Sequence, residues 1–230
     1  MANTEVPGAE DPVTVEQRGR VLLATMDDGR ANAMSVTMSG ALRAALTRAE
    51  ADPGIGAMVI AGRPGRFSGG FDLNVIRGGD AAAVREMVNG GGALVAEAYG
   101  ASVPVVAACT GHAVAAGALL LLGCDHRVGP DAEVKVGLNE VAIGLTLPRW
   151  ALAIAAERLS RRHLQASVAN AQLYDGAGAV AAGFLDTAVE PDVVIEAAMD
   201  HAAVLAELDP AAYAATVQAL RGPTLAAMAR

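Results

Sequence analysis

The stretch from Ala107 to Asp125 constrains the fold more than any other part of the sequence. The apolar segment at 104–109 predicts a buried strand, the small residues at 114–117 predict a turn, and four leucines then continue at helical length. A strand that turns into a helix leaves the first helical N–H groups without internal partners, at the positive end of the helix dipole. Small side chains let a ligand approach these groups. The stretch therefore predicts either a backbone site for a developing oxyanion or simply a tightly packed buried helix.

A second glycine-rich loop, Gly62 to Leu73, follows another apolar segment at 57–61 that predicts a buried strand. This loop ends at an expected helix start, so it is the second place where a backbone N–H group can face a ligand. A helix is predicted over 81–101. We expect it to bend or break at 89–92, where Asn-Gly-Gly-Gly lowers helix propensity.

The remaining elements predict an α/β fold in one domain, with most strands early and a helical tail. Two early strands are joined by a turn at 18–20, and Ser35 is the expected N-cap of a helix that ends at Asp52. With the strand at 57–61 this makes a strand–helix–strand unit, which favours a right-handed crossover. Residues 1–11 are expected to form a polar leader. Further strands are predicted at 127–128, 133–136 and 185–189, and helices at 149–158, 161–170, 176–182, 193–208 and 211–227.

Composition excludes several classes of protein. Hydrophobic residues make up 53% of the chain and aromatic residues only 3%, so the core is built from Ala, Val and Leu. A net charge of −8 disfavours nucleic-acid and membrane-surface partners. No apolar run approaches the ~20 residues that span a bilayer, and no signal core is present, so a cytoplasmic location is expected. Cys109 and Cys124 lie in apolar segments and are predicted to be buried thiols, and no metal site is expected.

Two segments and one turn carry a family resemblance. The segment 67–73 (Phe-Ser-Gly-Gly-Phe-Asp-Leu), the segment 110–125 and the turn 31–34 resemble parts of the crotonase (enoyl-CoA hydratase/isomerase) superfamily. The likeness extends over about residues 13–190. It implies a spiral of strand–strand–helix units over 1–190 and a helical region over 191–230 for assembly into a trimer or a hexamer. It also implies an acyl-CoA thioester as ligand, with no separate cofactor because CoA is part of the substrate.

The resemblance assigns roles to matching positions. The backbone N–H groups of Phe71 and Ala116 would bind the thioester oxygen and stabilise an enolate. Backbone around Gly69 and Leu73 would contact the adenine, and Arg30 is the candidate for a phosphate contact. The neighbours of the two donors are expected to line the substrate site as well: Gly70, Ala115 and Gly117.

The acidic residues decide which reaction of the family is expected. Hydratases of this family hold a water between two glutamates, and the first of these positions is Leu119 here. The second position is Glu140, whose apolar neighbours are expected to raise its pKa, as suits a base that must return its proton. One acid suffices to convert a 3-enoyl-CoA into a 2-enoyl-CoA. Positions 136–140, with Gly144, Pro148 and Trp150, are similar to the mitochondrial-type Δ3,Δ2-enoyl-CoA isomerases.

Isomerisation with Glu140 as the acid/base is thus predicted, and three alternatives stay open. The first is an enoyl-CoA hydratase, the second is a protein that binds acyl-CoA without turnover, and in the third Glu140 is a polar turn residue that faces solvent or caps a helix. A serine hydrolase using Ser68 and His112 is disfavoured, because the sequence has no Gly-x-Ser-x-Gly motif. His112 is expected to be a packed histidine. Asp72 is expected at a helix N-terminus, and Asp125 is expected to end the central helix and bind backbone.

Overall fold

A six-stranded sheet lies at the centre of the computed structural model, which describes residues 11–229. Its strand order is β1-β2-β4-β7-β9-β11; β1 and β2 are antiparallel, and the other neighbours are parallel. The leader predicted over 1–11 lies outside the described residues, apart from its last residue. The strands are β1 (Val13–Arg18), β2 (Val21–Met26), β3 (Ala33–Met34), β4 (Ala57–Ala61), β5 (Gly65–Ser68), β6 (Gly70–Phe71), β7 (Val105–Ala108), β8 (Gly111–Val114), β9 (His126–Pro130), β10 (Val136–Gly137) and β11 (Thr187–Val189).

The helices pack on both faces of this sheet, and the later part of the chain is mainly helical, as predicted. Two short 3-10 helices lie at Val141–Ile143 and Pro191–Val193. No helix within residues 11–229 has the length and apolar content needed to cross a membrane. The α-helices are α1 (Val36–Ala51), α2 (Leu73–Arg77), α3 (Ala81–Tyr99), α4 (Ala116–Gly123), α5 (Arg149–Arg158), α6 (Leu164–Val168), α7 (Gly176–Ala182), α8 (Val194–Leu205) and α9 (Pro210–Met228).

A strand–strand–helix unit repeats along the chain. The first strand of each unit joins the large sheet, and the next strand leaves it for one of two small parallel sheets. One of these has the order β10-β8-β5, and the other pairs β3 with β6. A helix then returns the chain to the large sheet, as α1 does between β3 and β4. This path brings the ends of β6, β8 and β10 to one region, where the predicted site residues lie.

The large sheet is buried on both faces. Successive side chains of a strand point to opposite faces. On β4, Met58 and Ile60 join the core cluster with α1, α3 and α4, whereas Val59 joins the cluster with α8. A strand buried on both faces requires a continuous apolar run, and this is why the segments 57–61 and 104–109 could be identified from the sequence.

The predicted break of the third helix is wrong, because α3 is continuous through 89–92. Gly91 and Gly92 are buried, and their missing side chains leave room for aromatic rings from other elements. A Cβ placed on Gly91 would lie 2.6 Å from the Phe71 ring, and one on Gly92 would lie 2.8 Å from the Trp150 indole. Tertiary packing thus outweighs the low helix propensity of glycine here.

Two other element boundaries differ from the prediction. The strand predicted at 133–136 begins only at Val136, because the backbone bends at 131–133 and Glu133 and Lys135 are exposed. The helix predicted at 161–170 is limited to α6, since turns occupy the residues before it. The predicted N-cap of α1 is confirmed: the Ser35 side chain accepts a hydrogen bond from the N–H of Met38.

The helix α9 is tied to the end of α4 by a partly buried cluster around Asp125. Asp125 Oδ1 accepts hydrogen bonds from Arg221 Nη2 at 2.6 Å and from the Tyr213 hydroxyl at 2.9 Å. Its Oδ2 accepts from the N–H of Val105 at 2.7 Å, which confirms the predicted backbone contact. Arg221 also donates to the carbonyl of Tyr99. The cluster joins the C-terminal helix to the central sheet and to α3.

Candidate active site

The two glycine-rich turns are in direct contact. Gly70 lies so close to the second turn that a Cβ on it would be 2.9 Å from the Cβ of Ala115 and 3.3 Å from the nitrogen of Ala116. A Cβ on Gly117 would lie 2.7 Å from the Cβ of Ser68. Glycine at both positions is therefore required by the approach of the two segments. This contact brings the predicted donor positions, Phe71 and Ala116, to one place in the fold.

The sharp turn into α4 places Ala115 in a strained backbone conformation. Its φ of 52° and ψ of −122° match the first central position of a type II′ turn, which glycine normally occupies. Such a conformation costs a residue with a Cβ on the order of 1–3 kcal/mol. The N–H of Ala115 donates to Gly137, and its carbonyl accepts the hydrogen bond from Leu119. The N–H of Ala116 therefore belongs to the first turn of α4, whose N–H groups have no partner inside the helix.

Two buried polar residues hold the first turn in place. Ser68 Oγ donates to the carbonyl of Asn32 at 2.7 Å and accepts from the N–H of Gly70 at 3.2 Å. Asn32 is fully buried, and its side-chain amide donates to the carbonyls of Met26 and Phe67. The sequence marks Asn32 only as part of the turn 31–34, and no local pattern indicates this supporting contact.

These bonds remove the geometry that a serine hydrolase needs. The Ser68 hydroxyl is engaged by main-chain groups of Asn32 and Gly70. His112 Nδ1 accepts a hydrogen bond from the N–H of Lys135 at 2.9 Å instead of bonding Ser68. Burial lowers the pKa of His112, and the nearby Arg66 lowers it further. His112 is half-buried, so the packed position that the sequence predicts is confirmed only in part.

A cavity of about 430 Å³ lies beside the first turn and gathers most of the positions predicted to bind substrate. Arg63, which the sequence alone does not single out, donates to the carbonyl of Arg30 at 2.5 Å and so brings a second guanidinium close to this cavity. Asp72 caps α2 through the N–H of Asn74, as expected for an acid at a helix start. The cavity is lined by Asp28, Arg30, Ala31, Ala33, Gly69, Gly70, Phe71, Asp72, Leu73 and Asn74.

Glu140 follows the strand that runs beside the second turn. β10 pairs in parallel with β8, so that Gly137 lies opposite Val114, directly before the Ala115 turn. Glu140 is only 8% exposed, which excludes a turn residue that faces solvent. Its Oε2 atom is buried and has no hydrogen-bond partner among residues 11–229. A buried carboxyl oxygen without a partner is costly, so it calls for a partner from outside the described residues.

The protonation of Glu140 is altered by its surroundings. Burial raises the pKa of this carboxyl above its usual value of 4.5, although hydrogen bonds from nearby backbone groups partly oppose the shift. Its buried neighbours Val136 and Leu138 are apolar. An acid with a raised pKa holds a proton more readily, which suits a group that must both accept and return one.

Leu119 lies in the first turn of α4, at the position where a hydratase would carry the first of its two glutamates. It is 1% exposed and belongs to the main core cluster. The two cysteines are also buried, as predicted, and burial raises the pKa of the Cys109 and Cys124 thiols to about 12. Neither leucine nor an inert thiol can exchange a proton with substrate near neutral pH.

Comparison with known proteins places this fold and site in a class. The sequence model described as enoyl-CoA hydratase/isomerase matches residues 16–229. The rat mitochondrial enoyl-CoA delta isomerase 1 is 28% identical over 79% of this chain, and the chain spans only 64% of that relative's length. A probable enoyl-CoA hydratase of Rhizobium meliloti is 30% identical over 89% of this chain and 79% of its own.

A solved structure from Mycobacterium tuberculosis, described as an enoyl-CoA isomerase, is 40% identical and superposes with a TM-score of 0.90 over 95% of this chain and 94% of that one. A second structure of the same protein is described as a probable enoyl-CoA hydratase. The protein described here therefore has the crotonase fold. It belongs to the enoyl-CoA hydratase/isomerase family. The names of its relatives are divided between the two reactions.

Proposed function

We propose that this protein converts a 3-enoyl-CoA into the conjugated 2-enoyl-CoA, with Glu140 as the only acid/base. The observation that carries the proposal is the buried carboxyl of Glu140, whose Oε2 atom has no hydrogen-bond partner among residues 11–229 and which follows the strand paired beside the second turn. The other acidic position of the hydratases holds Leu119, which is buried in the core. A single proton-transfer group fits a reaction in which the proton leaves and returns to the same substrate.

The proposed reaction begins with the thioester oxygen at the N–H groups of Phe71 and Ala116. The Glu140 carboxylate removes a proton from C2, and the electron pair of that C–H bond enters a dienolate whose negative charge rests largely on the thioester oxygen. Two backbone donors stabilise this charge, and loss of one such donor typically costs about 3 kcal/mol of transition-state stabilisation. Glu140 then delivers the proton to C4, which leaves the double bond between C2 and C3.

The CoA portion of the substrate is proposed to occupy the 430 Å³ cavity. Arg30 and Arg63 would place positive charge near its phosphates, while the backbone around Gly69 and Leu73 would contact the adenine. No separate cofactor takes part in the proposed chemistry. Assembly into a trimer or hexamer stays a prediction. Sedimentation of the purified protein determines its oligomeric state.

Hydration is the second candidate, because several relatives are named as hydratases. Adding water across a double bond requires one group to activate the water and another to support proton delivery. Leu119 has no exchangeable proton, so efficient hydration would require a second acid elsewhere in the site. This difference makes the two reactions separable in one experiment.

The test offers the purified protein a 3-enoyl-CoA in one assay and a 2-enoyl-CoA in the other. Glu140→Gln is measured beside Glu133→Gln, a control in which the altered acid is exposed. Isomerisation without hydration, lost only in Glu140→Gln, is the expected result. Fast hydration, or full isomerase turnover in Glu140→Gln, would overturn the proposal. Acyl-CoA binding without turnover in either assay would instead favour the binding-protein alternative.

A further inference from the structure

Three consecutive glycines in α3 have different surroundings. A Cβ on Gly90 would have no heavy atom within 4 Å. A Cβ on Gly91 would lie 2.6 Å from Cε1 of Phe71, and one on Gly92 would lie 2.8 Å from Nε1 of Trp150. Ordinary contact requires 3.4–4 Å, so a side chain at either position would push the ring away from α3. Two rings therefore rest on consecutive bare positions of one helix.

These two rings are unusual in a chain that contains only three Phe and one Trp. Phe67 and Phe184 are fully buried, whereas Phe71 and Trp150 are partly exposed. The indole N–H of Trp150 is buried without a hydrogen-bond partner among the described residues. The position of this ring therefore depends on packing, against Gly92 and against the main core cluster.

Both rings belong to segments that carry the proposed chemistry. Phe71 supplies one of the two proposed N–H donors, and its residue lines the 430 Å³ cavity. Trp150 lies in the first turn of α5, the helix that follows the Glu140 segment. An acyl chain would extend from the carbonyl carbon that the proposed donors hold, so its first carbons would lie close to the residue that supplies a donor.

We propose that Phe71 and Trp150 form the walls of the acyl-chain site and that Gly91 and Gly92 set the size of the acyl group it accepts. This inference rests on the proposed function, because it uses the donor role of Phe71. The bare helix backbone lets both rings lie back against α3. Any side chain there drives the rings toward the substrate and narrows the site.

The test compares Gly91→Ala and Gly92→Ala with Gly90→Ala, which adds the same methyl group without a contact. The readout is the ratio of kcat/KM for a long-chain and a short-chain 3-enoyl-CoA. A site of altered size changes discrimination by about 10–200-fold per methylene of misfit. We expect the ratio to fall at least about tenfold in the first two variants and to stay unchanged in Gly90→Ala. Equal ratios in all three would overturn the proposal.

Variants with smaller side chains give a second test that does not depend on accommodating extra volume. Phe71→Leu and Trp150→Phe keep the backbone donors and widen the site, so the same ratio is expected to rise. If the alanine variants fail to fold by circular dichroism, these two decide the outcome. A ratio that does not rise in either variant would contradict the assignment of the rings as walls.

A measurement of acyl-CoA binding distinguishes failure of this inference from failure of the proposed function. Trp150 is the single tryptophan, so fluorescence excited selectively at tryptophan, and not at the three tyrosines, reports on this wall alone. We expect Trp150 emission to change when acyl-CoAs bind, and to a different extent for short and long acyl groups. This result in a protein without isomerase turnover would uphold the walls and reject the reaction. Emission that is independent of acyl length, in a protein with length-selective turnover, would reject the walls.

Discussion

Replacing Gly70 with alanine tests whether contact between the two turns builds the site. Gly70 has a φ of +91°, and a Cβ would stand 2.9 Å from both the Val114 carbonyl oxygen and the Ala115 Cβ. A left-handed backbone costs a residue with a Cβ about 1–2 kcal/mol. Overpacking adds typically about 1–3 kcal/mol. We therefore expect Gly70→Ala to lower the free energy of unfolding by about 2–5 kcal/mol.

Gly19→Ala is the matched control for strain without contact. Gly19 has a φ of +60° in the β1–β2 turn, and a Cβ there would have no heavy atom within 4 Å. Its expected loss is therefore only the strain of about 1–2 kcal/mol. For a domain of this size each kcal/mol lowers Tm by about 2–4 °C, so thermal unfolding separates the two variants.

Turnover provides the second readout of the same pair. The Cβ of Gly70→Ala would push the second turn away and displace the N–H of Ala116, 3.3 Å from that Cβ, from its position beside Phe71. Loss of one oxyanion donor lowers kcat by about 10²–10³-fold. We expect a loss of this order in Gly70→Ala and unchanged turnover in Gly19→Ala. A Gly70→Ala protein that matches Gly19→Ala in both stability and turnover would refute the argument.

Three further predictions concern buried charge. Burial raises the pKa of Glu140 above 4.5, so ionisation of this carboxyl opposes folding. At pH 8, Glu140→Gln should therefore unfold at a higher urea concentration than wild type. This difference should vanish below pH 4.5. Arg221→Met removes the ion-pair partner of Asp125, whose side chain is only 12% exposed, and should cost about 3–5 kcal/mol in urea unfolding. His201→Ala should raise the pKa of His126, measured by NMR titration: burial lowers that pKa, and the His201 ring, stacked at 3.7 Å, lowers it further.

Each of these predictions has an internal comparison. Arg43 pairs with Glu97 in an exposed ion pair, so Arg43→Met should cost less than about 1 kcal/mol, and an equal loss in Arg221→Met would contradict the buried role of Asp125. The pKa of His112 should not change in His201→Ala. In wild type the contribution of His126 to stability is complete above pH 6.5 and is lost as pH falls toward its lowered pKa.

Much of the fold could be predicted from the sequence because the buried strands are short and apolar on both faces. The strand at 57–61 and the helix capped by Ser35 follow from local patterns alone. The integrity of α3 could not be predicted in this way. Local propensity counts Gly91 and Gly92 as helix breakers, whereas the structure uses them as contact points for rings that are distant in sequence.

The candidate site, too, could be predicted from the sequence only in part. Both turns were visible as glycine-rich segments, and Glu140 stood out as an acid among apolar residues. The support from Asn32, the position of Arg63 and the strain at Ala115 were not visible. Each depends on which backbone groups meet after folding, and an alanine in a type II′ turn violates the local rule that favours glycine there.

The link between Asp125 and Arg221 has a consequence for the time course of folding in the cell. The two residues are separated by 96 positions, so at about 5–20 residues per second the ribosome makes Arg221 about 5–20 s after Asp125. During that interval Asp125, at the C-terminal end of α4, lacks its ion-pair partner Arg221. The first turn of the same helix carries a proposed donor. We therefore expect α9 to pack against α3 and α5 late in folding, after the strand–strand–helix units have been synthesised.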